Sequence, residues 1–123
     1  GKRDGLFVDW YENGQKKEEG TFKDGKRDGL FVGWHENGQN QFVVNWKDDK
    51  HDGLALLWHE NEQKKTEGNW KDGNLIGLYV VWHENGQKKW EANCKEGKPV
   101  KGSEKFWNSK GVSVDTIEEA EAE

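Results

Sequence analysis

The chain has 123 residues, 35% of them charged and 31% hydrophobic, a balance that alone fits disorder, but eight Trp, five Phe and two Tyr argue for one folded domain. Five of the 24 acids fall in the last nine residues and the other 19 equal the 19 Lys and Arg, so the body is neutral and lacks the cation excess that a nucleic-acid partner requires. No long apolar run marks a membrane span, and no apolar segment follows a basic start as in a signal peptide.

Gly1–Gly5 reads GKRDG, the same string as Gly25–Gly29, so the chain opens on what looks like the closing turn of an earlier repeat. With Gly at position 1 and no Met, it reads as a processed or excised piece. Its compartment is not written in the sequence; a soluble, cytoplasmic chain is the expectation over a secreted or cell-surface one.

From Gly5 onward a 24-residue period runs through the sequence: GLFVDWYENGQKKEEGTFKDGKRD (5–28), GLFVGWHENGQNQFVVNWKDDKHD (29–52), GLALLWHENEQKKTEGNWKDGNLI (53–76) and GLYVVWHENGQKKWEANCKEGKPV (77–100). A degraded fifth copy spans 102–111, giving a repeat array over 1–111. Each full copy has an Asn-Gly signal (Asn13-Gly14, Asn37-Gly38, Asn85-Gly86; Asn61-Glu62 departs) and an Asp/Glu-Gly signal (Asp24-Gly25, Asp72-Gly73, Glu96-Gly97; Asp48-Asp49 departs). Turns this close leave strands of about seven or eight residues, hence an antiparallel meander of hairpins. Glu62 at a glycine position predicts strain of roughly 1 kcal/mol.

Side-chain parity suggests how the faces divide. Trp10, Trp34, Trp46, Trp58, Trp70, Trp82 and Trp90 are all even, as are Leu6, Val8, Phe22, Leu30, Val32, Phe42, Val44, Leu54, Leu56, Leu78, Val80, Ala92 and Cys94. Two strands of a hairpin share an even face when the loop has an odd residue count, which predicts a three-residue turn with Gly at positive φ rather than a two-residue one. The even positions, with Trp107 of the fifth copy, then form the core, and Trp rings cover Gly20 and Gly68. The odd face carries Phe7, Tyr11, Phe31, His35, His59, Tyr79 and His83, an exposed aromatic surface suited to partner contact.

Cys94 stands where sister copies carry Phe or Trp and reads as a small buried apolar residue. Residues 112–123 form an acidic tail or a short helix opened by a capping box at Asp115-Thr-Ile-Glu118, a poor lid for the sheet and more in keeping with a solvated end.

The blocks GLxxxWxENGQKKxEGxxKDGK resemble the bacterial variant of the MORN repeat (membrane occupation and recognition nexus), with the W-x-E-N-G-Q-K-K core at 10–17, 34–39, 58–65 and 82–89. The second copy departs with Asn40-Gln41-Phe42 and the third with Glu62. The resemblance implies an all-β fold, an elongated, twisted single-layer sheet of successive hairpins, and no intrinsic catalysis. It also implies scaffolding and dimerisation through protein contacts, with phospholipid contact or antitoxin-like activity as further family roles.

The residues agree on chemistry. Rings in the His35, His59, His83 column stand about 10 Å apart, too far to share a metal. Glu12, Glu36, Glu60 and Glu84 recur beside a turn in every copy, so they lack the unlike environments of an acid/base pair and are expected to accept turn amides or pair with Lys16-type neighbours. No nucleophile elbow, P-loop or dinucleotide fingerprint is present, and no cofactor is called for. The function expected is a non-enzymatic scaffold that binds protein, copies of itself included, through sheet edges or aromatic faces. An antitoxin or immunity protein and a peripheral phospholipid-binding module are the alternatives, the latter weakened by the missing basic excess.

Overall fold

The computed structural model describes residues 3–122. Gly1 and Lys2, the start of the GKRDG string, lie outside the described residues, as does Glu123. The strands are β1 (Gly5–Trp10), β2 (Lys16–Lys23), β3 (Lys26–Arg27), β4 (Gly29–Trp34), β5 (Asn40–Lys47), β6 (Lys50–Trp58), β7 (Lys64–Lys71), β8 (Asn74–Trp82), β9 (Lys88–Lys95), β10 (Lys98–Pro99), β11 (Lys105–Trp107) and β12 (Ser113–Val114), followed by helix α1 (Ile117–Glu121). They form one 12-stranded antiparallel sheet in the order β1-β2-β4-β5-β6-β7-β8-β9-β11-β12, with β3 on β2 and β10 on β9. The sheet is open, and the meander of hairpins expected from the period is what the chain adopts.

The two turn signals build different turns. At the first, Tyr11 N donates to Gln15 O (2.9 Å) and Gly14 N to Tyr11 O (3.0 Å), closing a three-residue loop in which Gly14 has φ 88°, as parity requires. Glu62 replaces that glycine in the third copy and is held at φ 73°. Since a left-handed conformation costs a residue with a Cβ about 1–2 kcal/mol, Glu62→Gly should raise the urea midpoint by roughly 1 kcal/mol of stability, read from equilibrium unfolding. The second turn corrects the parity reading. Lys23 faces Lys26 across Asp24 and Gly25, both at positive φ (51° and 82°), a two-residue hairpin turn.

A second correction comes from a bulge. Asp9 faces Glu18 but Trp10 faces Lys16, which leaves Lys17 unpaired; Gln41, Lys65 and Lys89 are left out in the same way. The extra residue flips the register, so that Phe7 faces Gly20 and Gly5 faces Phe22, odd against even. The indoles are therefore divided. Trp46, Trp70 and Trp90 share a side with Phe7, Phe31, Val44 and Tyr79, whereas Trp10, Trp34, Trp58 and Trp82 lie on the other side with Leu6, Val8, Leu30, Val32, Leu54, Leu56, Leu78 and Val80.

The first side carries a ladder of rings. Phe7 meets Phe22 (5.8 Å between centroids), Phe22 meets Phe31 (5.7 Å), Phe31 meets Trp46 (6.4 Å), and His51 lies between Trp46 (4.2 Å) and Trp70 (4.8 Å). Tyr79 and Trp90 continue it at 5.6 Å. Two of these contacts, Phe22 with Phe31 and Trp46 with His51, cross from one hairpin to the next, so the ladder joins hairpins as well as strands. The rings that cover bare backbone are Phe31 over Gly20, Phe42 over Gly33 and Tyr79 over Gly68, rather than indoles. Cys94 is buried on this side, and burial followed by the Glu104 carboxylate pushes its thiol up, which makes it a packing residue rather than a nucleophile.

His51 Nδ1 is buried with no hydrogen-bond partner among the described residues. Burial, with the nearby Arg27 charge second, holds this imidazole below its ordinary value. The folded chain thus binds a proton less readily than the unfolded one. Stability present above the ordinary histidine value should fall as pH drops through about 6.5 toward the lower folded value. Urea midpoints measured between pH 8 and pH 5 should show this decline, and His51→Phe should flatten it.

The C-terminus is also corrected. The helix cap is Thr116, one residue beyond the expected Asp115: its hydroxyl accepts from Glu119 N and donates to Glu119 Oε1, both at 3.1 Å. The helix packs on β9 and β11 with Ala120 buried, and Glu121 pairs with Lys89, the bulge residue of the fourth copy, at 3.5 Å. The tail is docked through Ala120, while Glu118, Glu119 and Glu121 are exposed.

Candidate functional site

Two columns of side chains stitch successive turns together. Tyr11 Oη donates to Trp34 O (2.6 Å), and in the same place His35, His59 and His83 set Nε2 against the carbonyls of Trp58 (3.0 Å), Trp82 (3.2 Å) and Trp107 (2.9 Å). A carbonyl can only accept, so each Nε2 carries the proton and donates. Asn13, Asn37, Asn61 and Asn85 reach in parallel to the backbone carbonyls of Glu36, Glu60, Glu84 and Ser109, while their own carbonyls accept from Gln15, Gln39, Gln63 and Gln87 N. The turn-amide acceptor is therefore this Asn and not the neighbouring Glu. Likewise the lysine of Lys16 type pairs with Glu19 and its equivalents, not with Glu12.

Seven side chains expected on an exposed face are thus placed otherwise. Phe31 is 1% exposed, and Phe7, Tyr11, His35, His59, Tyr79 and His83 are half-buried. Phe7, Phe31 and Tyr79 belong to the ring ladder; Tyr11 and the three histidines spend their polar atoms on the next repeat. Trp10, expected in the core, is 55% exposed, while the other seven indoles are half-buried.

Open clefts of about 370 to 480 Å³ lie between successive turns, lined by Tyr11 or a column histidine and by Glu36, Glu60 or Glu84. They recur because the columns recur, and near-identical linings offer no pair of carboxyls in unlike settings. Among the described residues no group of three His, Cys, Asp or Glu side chains converges to hold a metal ion.

The more open surface is the other side of the sheet, where Val80 alone of the described leucines, valines and indoles is buried. Leu6, Leu30, Leu54 and Leu78 recur every 24 residues there and are 72%, 49%, 41% and 49% exposed. Beside this column run Val8, Val32, Leu56 and Val80, and then the indoles of Trp10, Trp34, Trp58 and Trp82. The intervening strands present Thr21, Asn45, Asn69 and Asn93 opposite the leucines. Successive leucines are two strands apart, about 9.6 Å. Parity arithmetic missed this face because it placed these leucines with Trp46 and Trp70 in one core.

The family model of the MORN repeat variant matches residues 3–24. That segment is similar to a MORN repeat variant. Its hairpin, bulge and column bonds recur in the three copies that follow, so one geometry extends through residue 100. Gly25 N donates to Arg3 O (2.8 Å) just as Asp49, Gly73 and Gly97 N donate to Arg27, His51 and Leu75 O, so Arg3 occupies a repeat position too. No curated protein matches the chain. MORN repeats are in general non-catalytic modules of protein interaction or membrane association. No helix among the described residues is long and apolar enough to cross a membrane.

Proposed function

We propose that this chain is a non-enzymatic scaffold whose work is to bind protein, copies of itself included. The observation that carries this reading is the exposed leucine column on one side of a single open sheet. A compact chain of 14.2 kDa exposes about 6,800 Å², whereas this one exposes 8164 Å². Contiguous apolar surface of this kind marks a contact site.

The ring ladder and the turn columns hold the repeats at constant spacing, which is what a scaffold needs of its own contacts. The mass of the particle purified from the native source tests the reading. A particle heavier than 14.2 kDa, built of further protein chains, is the expected result; one chain alone at every concentration overturns it.

A further inference from the structure

In the first, third and fourth copies the leucine face carries an ion pair across the bulge: Lys16–Glu19 (2.8 Å), Lys64–Glu67 (2.7 Å) and Lys88–Glu91 (2.9 Å). The second copy has Asn40 and Val43 at these two positions. Both partners are replaced together, so no lone charge remains.

The effect on the surface is local. Elsewhere a carboxylate interrupts each cross-strand row: Val8 and Val32 both face Glu19, and Leu56 and Val80 both face Glu67. In the second copy Val43 faces Val32 on one side and Leu56 on the other. Three apolar side chains therefore run unbroken across β4, β5 and β6, with the exposed Leu30 and Leu54 alongside. Covering an ion pair costs desolvation of two charges. This is the stretch of the face that a partner can cover without that cost.

We infer that Val32, Val43, Leu56, Leu30 and Leu54 form the centre of a two-fold interface with a second copy of this chain, leucine face to leucine face. The inference rests on the protein-binding reading above. Three observations select a second copy. The apolar ridges on β4 and β6 stand about 9.6 Å apart with Val43 between them, so a copy turned through half a revolution meets this patch with the same apolar patch at the same spacing. The surface exposed beyond that of a compact chain exceeds the roughly 800 Å² that each partner gives to a stable interface. The flanking carboxylates Glu19, Glu67 and Glu91 are each already held by a lysine of their own copy, so apposed faces do not confront unpaired charges in these rows.

Sedimentation equilibrium on the full chain, up to about 100 μM, tests this. The expected species has twice the mass of 14.2 kDa. The double variant Asn40→Lys with Val43→Glu restores the pair that the other three copies carry, so its circular dichroism should be unchanged. Its dimer dissociation constant should rise at least about thirtyfold, the loss that accompanies a central interface residue. Leu30→Gln, at a side chain exposed in the single chain, should weaken the dimer in the same direction and guards against a folding defect in the first variant. A chain that stays monomeric overturns the inference, while the native-particle mass still decides the wider binding reading. A dimer that neither variant weakens also overturns it and moves self-association to another surface, such as the β1 edge.

Discussion

Replacing Phe31 with Ala should lower stability by about 3–5 kcal/mol, the range for a buried aromatic truncated in a core. Phe31 is the one large side chain among the described residues that is essentially sealed from water, at 1% exposure. It gains this in a single-layer sheet because it sits between Phe22 and Trp46 in the ring ladder and lies flat over Gly20. Removing the ring breaks two edge-to-face contacts of about 0.5–1.5 kcal/mol each beyond the lost burial. The gap cannot close from below, since Gly20 has no side chain to move into it. The loss falls on the joint between the first and second copies, and in a repeat array each copy leans on its neighbours alone. Amide exchange should therefore show β1 and β2 losing protection before β6–β9, alongside the lowered urea midpoint. A midpoint shift worth less than about 1 kcal/mol would show that the ladder does not hold the sheet together.

The hairpin meander was legible because the 24-residue period carries two turn signals per copy, and turn chemistry is local. The three-residue geometry at Asn13-Gly14 followed from the same arithmetic. The division into faces was not legible. The bulge adds Lys17, Gln41, Lys65 or Lys89, polar residues in a polar stretch, and nothing in their type marks them as unpaired. One uncounted residue moves every later side chain to the opposite face. The error then carried over to the site, sending Phe31 and Tyr79 to the surface and the leucine column to the core.

One sequence signal could have corrected it. Positions 11 residues apart across each copy boundary trade volume: Gly20 with Phe31, Val44 with Ala55, Gly68 with Tyr79. Such compensation is expected of side chains that touch, and each of these pairs is one even and one odd residue. The helix cap was missed by one residue for a simpler reason. Two overlapping S/T/D-x-x-E strings compete there, and Thr116 with Glu119 is the one whose hydroxyl can both accept from the backbone and donate to the carboxylate.

The same volume trade makes the second large prediction. Gly20→Val alone should cost about 1–3 kcal/mol or somewhat more, because a Cβ at this position clashes with the ring carbons of Phe31. The backbone is not the obstacle: Gly20 lies outside the positive-φ residues, and Val44 occupies the equivalent place in β5. The strain is between side chain and ring, so it should vanish when the ring does. Combining Gly20→Val with Phe31→Ala rebuilds at the first boundary the pair that Val44 and Ala55 already make at the second, where they are direct cross-strand partners. The double variant should therefore unfold at a higher urea concentration than Phe31→Ala alone, with a coupling between the two sites of up to about 3 kcal/mol. If the two costs instead add, then the match between adjacent copies is not what selects glycine at position 20, and the repeats are joined by backbone pairing and the turn columns alone.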